Sequence, residues 1–414
     1  MQDGVRTVGV DGSLESVAKL VTALEAALDG GPAVVPVRVA DGTAAPDGIT
    51  GPDPDAEPPL PEPVVRAAAD GLPEGLAVVV ATSGSTGEPK HVGLTADALR
   101  ASARATEDRL GGPGTWVLPL PAEHVAGVQV ILRSLLAGRP PVVQDVREGF
   151  RPEGFARATG RLAHGERRYT SLVPTQLARI LDHGSAPLYA LAGYDGVLVG
   201  GAALDPGLHA RALDAGIRIV TTYGMSETCG GCVYDGVPLD GVTVTLDGDD
   251  PAAGRIVLGG PVVAAGYLGD PAATAEAFTA DGFRTSDLGA VSADGTLTVL
   301  GRADDVVNTG GEKVAPAAVE RALLAVPGVR GACAVGLPDD EWGQIVAALV
   351  VGDAPEETLR DAVRSACGRA AVPRLLHRAD AVPERGIGKP DRTAVTELLA
   401  KVREPAANGH RASS

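Results

Sequence analysis

Aromatic residues are scarce: Phe, Tyr and Trp together make up 3% of 414 residues. Ala, Val, Leu and Gly must therefore supply the bulk of any core. Cysteine is sparse too, and four thiols in a chain this long do not make a disulfide framework. Cys229 and Cys232 have C-x-x-C spacing, but no second pair follows and glycines surround them, so the zinc pattern is incomplete. No apolar run approaches a transmembrane span, and Met1 to Leu20 has no apolar signal-peptide core. A reducing cytoplasm and no membrane insertion are expected. Positive charge is in deficit: 36 Lys and Arg face 53 Asp and Glu, a net charge of −17. That balance argues against nucleic acid and acidic membrane surfaces as partners.

What is present is a globular composition, 44% hydrophobic, with length for two or three domains. Leu14, Val17, Leu20, Val21 and Leu24 have helical spacing. Residues 43–63 are rich in Pro, Asp and Gly and read as a surface linker or long loop. From Arg168 to Thr222 the pattern alternates. Tyr169–Val173 reads as a strand; Pro174 opens a helix that Gly184 ends after His183. Val197–Val199 is a second strand, Asp205 and Pro206 start another helix, Gly216 stops it, and Ile217–Val220 is a third strand. Such alternation implies a parallel sheet with helices packed on it, and ligands in such sheets sit at the carboxyl ends of strands. Beyond Asp304, Val314–Val326 and Glu356–Cys367 read as helices, and Gly331–Val335 and Ile345–Val351 as strands, a compact α+β unit. The tail, residues 404–414, is polar and expected to be disordered.

The richest stretch is Ala81-Thr-Ser-Gly-Ser-Thr-Gly-Glu-Pro-Lys90, directly after the apolar run Leu76 to Val80. Glycines let a backbone approach a ligand closely, and hydroxyls, free N–H groups and a lysine suit phosphate oxygens. It is not the common P-loop, because Glu88 and Pro89 separate Gly87 from Lys90. Four more unusual stretches follow in order: Tyr223-Gly-Met-Ser-Glu-Thr228, Arg284-Thr-Ser-Asp-Leu-Gly289, Gly301-Arg-Ala-Asp-Asp-Val-Val-Asn-Thr-Gly-Gly311 and Gly386-Ile-Gly-Lys-Pro-Asp-Arg392.

Together these five stretches resemble the core motifs of the adenylate-forming superfamily of acyl-CoA synthetases, luciferases and peptide-synthetase adenylation domains. The resemblance runs from Leu76 to Arg392. It implies an α/β fold with a large N-terminal domain, residues 1–303, of mainly parallel sheets and helices. A small mobile α+β lid, residues 304–403, would follow, turning about Asp304. The implied chemistry has two steps. A carboxylate attacks the α-phosphate of ATP to give an acyl-adenylate and pyrophosphate; a thiol, usually that of CoA, then displaces AMP. Mg²⁺ would assist.

By that resemblance, Thr82, Ser83, Gly84, Ser85, Thr86, Gly87 and Lys90 would hold the β- and γ-phosphates. Glu227 would ligate Mg²⁺, as a hard cation prefers carboxylate oxygen. Ser226 would reach the α-phosphate, and Tyr223 with Gly224 would flank the adenine, with Gly200 and Gly201 giving backbone access. Asp287 and Arg302 match the ribose-binding acid and its associated arginine. Lys389 would bridge the reacting carboxylate and the α-phosphate, where negative charge builds. Gly310 and Gly311 would approach CoA after the lid turns; Asn308 is given no role.

The acid is not read by those motifs. The segments Arg109-Leu-Gly-Gly-Pro-Gly-Thr-Trp116, Arg168-Tyr-Thr-Ser-Leu-Val-Pro-Thr-Gln-Leu177 and Tyr223 to Leu239 resemble those of actinobacterial o-succinylbenzoate–CoA ligases of menaquinone synthesis. So does the short N-terminal region. His124 would line the acyl pocket, although Glu123 stands where an aromatic residue commonly precedes it. A second carboxylate on the acid would need a cation or several donors, for which Arg133, Ser171 and Thr175 are the candidates; Arg133 could equally face solvent. Another aryl or short- to medium-chain acid is the rival substrate class. A non-catalytic adenylate-binding protein is the rival of another kind, and the presence of Lys389, Glu227, Asp287 and Arg302 weighs against it. Partners are small molecules, and a homo-oligomer is compatible with the sequence.

Overall fold

The computed structural model describes residues 4–39, 57–82, 89–163, 165–248, 253–385 and 389–403, with the side chains of Arg385 and Lys389 outside that description. Residues 43–56 of the expected linker and the tail 404–414 therefore lie outside it. The linker's last two residues, Glu62 and Pro63, open a helix, Glu62–Asp70, in which proline takes its favoured first-turn place.

Three sheets build the larger part. The first orders Val5–Val10, Ala33–Arg38, Leu76–Thr82, Lys90–Thr95 and Gly266–Tyr267. Helix Leu14–Leu28 packs on it through Val17, Leu20 and Leu24, all buried; Leu14 stands at its exposed start. The central sheet has seven strands, ordered Val237–Pro238, Gly230–Tyr234, Ile219–Met225, Gly196–Val199, Arg168–Leu172, Thr115–Leu118 and Val142–Val143. Its last five run parallel, as the strand–helix alternation requires. The third sheet is antiparallel, with strand Gly282–Val291 between Gly254–Gly259 and Leu297–Arg302.

The sequence reading placed the third parallel strand two residues early. It runs Ile219–Met225, so Tyr223 and Gly224 lie on the strand rather than after it. The cause is the antiparallel partner Gly230–Tyr234, whose pairing holds residues 222–225 extended beyond the apolar run. A helix not expected from the pattern, Ser185–Ala192, fills the interval after Gly184.

A separate apolar core gathers Val307, Val319, Leu323, Val346, Val350, Leu359 and Val363. Its sheet pairs the long strands Val329–Asp339 and Gly343–Gly352. The helix expected at Val314–Val326 is shorter, Pro316–Leu324, because Glu312–Val314 is spent as a strand in a hairpin with Val307–Thr309. Helix Glu356–Cys367 is as expected. Arg321 on the shorter helix reaches the Val299 carbonyl at 3.3 Å, tying this unit to the third sheet.

Candidate active site

The two ends of the Ala81–Lys90 stretch lie on paired strands. Strand Leu76–Thr82 pairs antiparallel with Lys90–Thr95, and Thr82 faces Lys90. Ser83, Gly84, Ser85, Thr86 and Gly87 lie outside the described residues. The Lys90 ammonium stands 4.5 Å from the centre of the Tyr267 ring. His91, next to it, is half-buried, and its Nδ1 has no partner among the described residues; burial lowers the imidazole's pKa.

The central strand ends in a short 3₁₀ turn, Ser226–Thr228. Thr228 locks it: its hydroxyl accepts from the Met225 amide at 3.0 Å and donates to the Gly230 carbonyl at 2.9 Å. Cys229 then takes a left-handed conformation, with φ of 53°. Glu227 is nine-tenths buried. Its Oε1 accepts from the Tyr267 hydroxyl at 2.8 Å, and its carbonyl accepts from the Ala264 amide at 2.9 Å. Side chain and main chain are thus both held. Among the described residues no group of three or more His, Cys, Asp or Glu side chains converges. One anchored carboxylate fits Mg²⁺, which is ordinarily shared between one or two carboxylates and substrate phosphates.

Tyr223 and Asp287 come together from different sheets. The phenol donates to Oδ2 of Asp287 at 2.7 Å; burial and the Asp287 charge raise its pKa well above the usual phenol range. Asp287 and Arg302 are cross-strand neighbours. Arg302 turns its guanidinium to Asp304, 2.7 Å away, so Asp287, Arg302 and the expected hinge form one strip.

The glycines divide by physical reason. A Cβ on Gly200 would lie 2.2 Å from the Thr222 hydroxyl, so that position serves a close approach to the neighbouring strand, and Gly201 takes a left-handed turn with φ of 82°. Gly224 is required by its partner strand, since a Cβ would meet the Gly230 carbonyl at 2.1 Å. Gly310 and Gly311, with φ of 59° and 84°, are the two central residues of the hairpin turn after Thr309. Positive φ at both is what a tight two-residue turn demands. Gly310 also packs on Trp342.

His124 is the N-cap of helix Val125–Leu136. Glu123, in the expected aromatic place, pairs with Arg38 of the first sheet at 3.1 Å. Ser171 ends a parallel strand region and Thr175 begins the helix after it. Arg133 is not at the first turn of the helix that His124 caps. It lies nine residues along its helix from His124, a rise of about 13 Å at 1.5 Å per residue. Nor does it face solvent: it is 3% exposed, its guanidinium 5.1 Å from the Trp116 ring and 3.4 Å from the Tyr234 hydroxyl. None of the described hydrogen bonds joins it to Ser171 or Thr175.

Two site residues escaped the motif reading. Tyr267 touches both Lys90 and Glu227. Gln129 is 1% exposed beside Gly230, with both amide atoms unpartnered among the described residues. A lone glutamine inside the apolar run Val128–Leu132 was its only signal.

Lys389 pairs through its backbone with Arg385 in a two-stranded ribbon; its side chain is outside the described residues. Three residues on, Arg392 anchors the ribbon's foot. Its guanidinium bonds both oxygens of Glu320 at 2.6 and 3.1 Å, Oδ2 of Asp305 at 3.0 Å and the Ala334 carbonyl at 2.7 Å. Cys229 and Cys232 are buried free thiols, and burial pushes Cys232 up to about 12, so neither is poised for redox or metal chemistry.

Comparison with known proteins gives a consistent family. The model of the AMP-binding enzyme family matches residues 7–268, and that of the AMP-binding enzyme C-terminal domain matches residues 318–389. A probable 2-succinylbenzoate–CoA ligase of Mycobacterium tuberculosis is 48% identical over 337 residues, 80% of this chain and 86% of its own length. A sulfoacetate–CoA ligase of Cupriavidus necator is 36% identical over 378 residues, 83% of this chain and 72% of its own. Among solved structures, o-succinylbenzoate CoA synthetase (MenE) from Bacillus subtilis, in complex with the acyl-adenylate intermediate OSB-AMP, aligns with a TM-score of 0.67 at 26% identity. That alignment covers 81% of this chain and 70% of the other.

Proposed function

We propose, from the premise that the chain belongs to the AMP-binding enzyme family, that it adenylates o-succinylbenzoate with ATP and passes the acyl group to CoA, serving menaquinone biosynthesis. The observation that carries the substrate is the 48% identity to the mycobacterial ligase over four-fifths of the chain. The observation that carries the chemistry is the gathering of Lys90, Glu227, Tyr223, Asp287 and Arg302 around the ends of three sheets.

In this reading residues 1–303 form the adenylation domain and 304–403 the lid. Lys90 and Thr82 hold the triphosphate from the facing ends of their two strands. Bound Mg²⁺ would neutralise phosphate charge and orient the pyrophosphate leaving group; Glu227 is the residue that holds it. Tyr223 covers the adenine while its phenol orients Asp287 toward the ribose hydroxyls. Ser226 faces the α-phosphate from the locked turn. Lys389, carried on the lid ribbon, stabilises charge that develops between carboxylate and α-phosphate, so its work is done in the transition state. Gly310 and Gly311 present a bare turn to the CoA arm. His124, Ser171 and Thr175 stand on the acyl side. The cytoplasm suits an enzyme of soluble cosubstrates with buried free thiols; no helix among the described residues is long and apolar enough to cross a membrane.

A second reading keeps the fold and changes the acid. Sulfoacetate, named for the Cupriavidus relative, also carries a second anionic group. The test is pyrophosphate release that depends on ATP, Mg²⁺ and CoA, run with o-succinylbenzoate, sulfoacetate, benzoate and a medium-chain fatty acid. Strong preference for o-succinylbenzoate is the expected result. Preference for another acid would discard the pathway and keep the chemistry.

A further inference from the structure

Tyr267 lies in none of the five motifs, yet its side chain touches both Lys90 and Glu227. It sits on the short strand Gly266–Tyr267, which pairs with Lys90–Thr95 and places Tyr267 opposite Val92. Its amide donates to the Thr274 hydroxyl at 2.9 Å, and its ring meets Phe278 edge-on at 5.3 Å. It is 8% exposed. The ring face carries the Lys90 ammonium at 4.5 Å, and the hydroxyl donates to Oε1 of Glu227 at 2.8 Å. Burial and the Glu227 charge raise the phenol's pKa far above its usual value, so it remains a neutral donor.

We propose that Tyr267 is a positioning residue for the magnesium–triphosphate end of the site, keeping the Lys90 ammonium and the Glu227 carboxylate as two separately aimed charges. The proposal rests on the reading of Glu227 as the Mg²⁺ ligand and Lys90 as a phosphate ligand. Opposite charges drawn together in a partly buried site pair directly, and such a pair would have to be broken whenever nucleotide entered. An aromatic face attracts a cation more weakly than a carboxylate does, so Lys90 can exchange the ring for phosphate oxygens. The phenol occupies Oε1 of Glu227 and leaves the rest of the carboxylate to a hard cation.

Tyr267→Phe removes the hydroxyl and keeps the ring. The Mg²⁺ concentration that half-saturates ATP–pyrophosphate exchange should rise about fivefold or more, as for loss of a hydrogen bond to a charged group. Calorimetric binding of MgATP to the enzyme without acid should weaken by a similar factor, while the KM for the acid moves far less. Tyr267→Leu removes the ring as well and should also weaken binding of ATP in EDTA, where only Lys90's side of the device is read. Glu227→Gln is run beside them. If Glu227→Gln shifts the Mg²⁺ requirement and Tyr267→Phe does not, the role of Tyr267 is overturned. If Glu227→Gln shifts nothing, the reading of Glu227 fails and takes the proposal with it. An equal fall in Mg²⁺, acid and CoA parameters with a lowered melting temperature would mark Tyr267 as merely structural and also overturn it.

Discussion

The phenol of Tyr223 hydrogen-bonds Oδ2 of Asp287 over 2.7 Å, joining the end of the central parallel sheet to the antiparallel third sheet across 64 residues of sequence. The bond fixes which way the Asp287 carboxylate points. Removing it frees Asp287 to rotate and to pair with water instead. Tyr223→Phe should therefore lower kcat/KM for ATP about tenfold, equivalent to ~1.4 kcal/mol, with the acid's KM little changed. Steady-state kinetics with each substrate varied in turn checks this; an unchanged ATP parameter would mean the bond does not orient Asp287.

Arg133 is a buried cation packed on Trp116 and Tyr234. Burial raises the Glu107 carboxyl's pKa, and the positive charge of Arg133 opposes that rise. Arg133→Ala leaves a cavity beside Trp116 and removes one partner of the Tyr234 hydroxyl, which keeps its 2.9 Å bond to Thr106, so a loss of about 2–4 kcal/mol in stability is expected. Chemical denaturation gives the number. A raised KM for the diacid at unchanged stability would instead return Arg133 to the acyl site.

Gln129 offers the opposite sign. Both of its amide atoms are buried without a partner among the described residues. Gln129→Leu removes an unsatisfied polar group, so stability should rise by roughly 1 kcal/mol. If the amide serves the acid, the KM for the acid rises at the same time. A melting curve paired with acid kinetics separates a ligand-facing amide from an idle one.

Arg392 binds Glu320, Asp305 and the Ala334 carbonyl from a position three residues beyond Lys389. Arg392→Ala leaves Glu320 unpaired in a largely enclosed place and should destabilise the C-terminal unit by about 2–4 kcal/mol. Arg392→Lys should recover little, because an ammonium cannot reproduce the two-pronged contact with Glu320. Limited proteolysis of that unit, compared across the variants, reads the effect; equal protease resistance in all three would contradict it.

His91 makes stability depend on pH. Burial lowers its folded pKa below the unfolded value of 6.5. As pH falls through 6.5, the unfolded chain takes up a proton that the folded chain refuses. Stability is therefore full above that value and declines below it, toward the folded pKa. His91→Gln should flatten the difference in melting temperature between about pH 7.5 and pH 5.5. An identical acid response in the variant would place the titration elsewhere.

The candidate site was legible in part from residue types alone. Thr82, Lys90 and Arg302 stand at strand ends and Glu227 in a 3₁₀ turn, where local sequence marks them as candidates, while Asp287 lies inside a strand and is marked only by its motif. Gly310 and Gly311 were legible as glycines, and the structure supplies a turn as their first reason. Arg133 was not legible. Helical spacing says which face a residue occupies but not what packs there, and only the arrival of Trp116 and Tyr234 makes its face interior. The early end assigned to strand Ile219–Met225 has the same origin, since its last residues are held extended by a partner strand and not by their own apolarity.

The sequence by itself determined the family, the parallel alternation through residues 168–222 and the identities of the charged groups, because those rest on spacing and on side-chain chemistry. Only the tertiary structure decided how those charges are held. Tyr267 reaches Lys90 through pairing of distant strands, and reaches Glu227 across forty residues. Tyr223 meets Asp287 where two sheets abut, and Arg392 meets Asp305 across the C-terminal core. Each of these contacts depends on a distance that the chain sets only by folding back on itself, and a one-dimensional pattern carries no record of it.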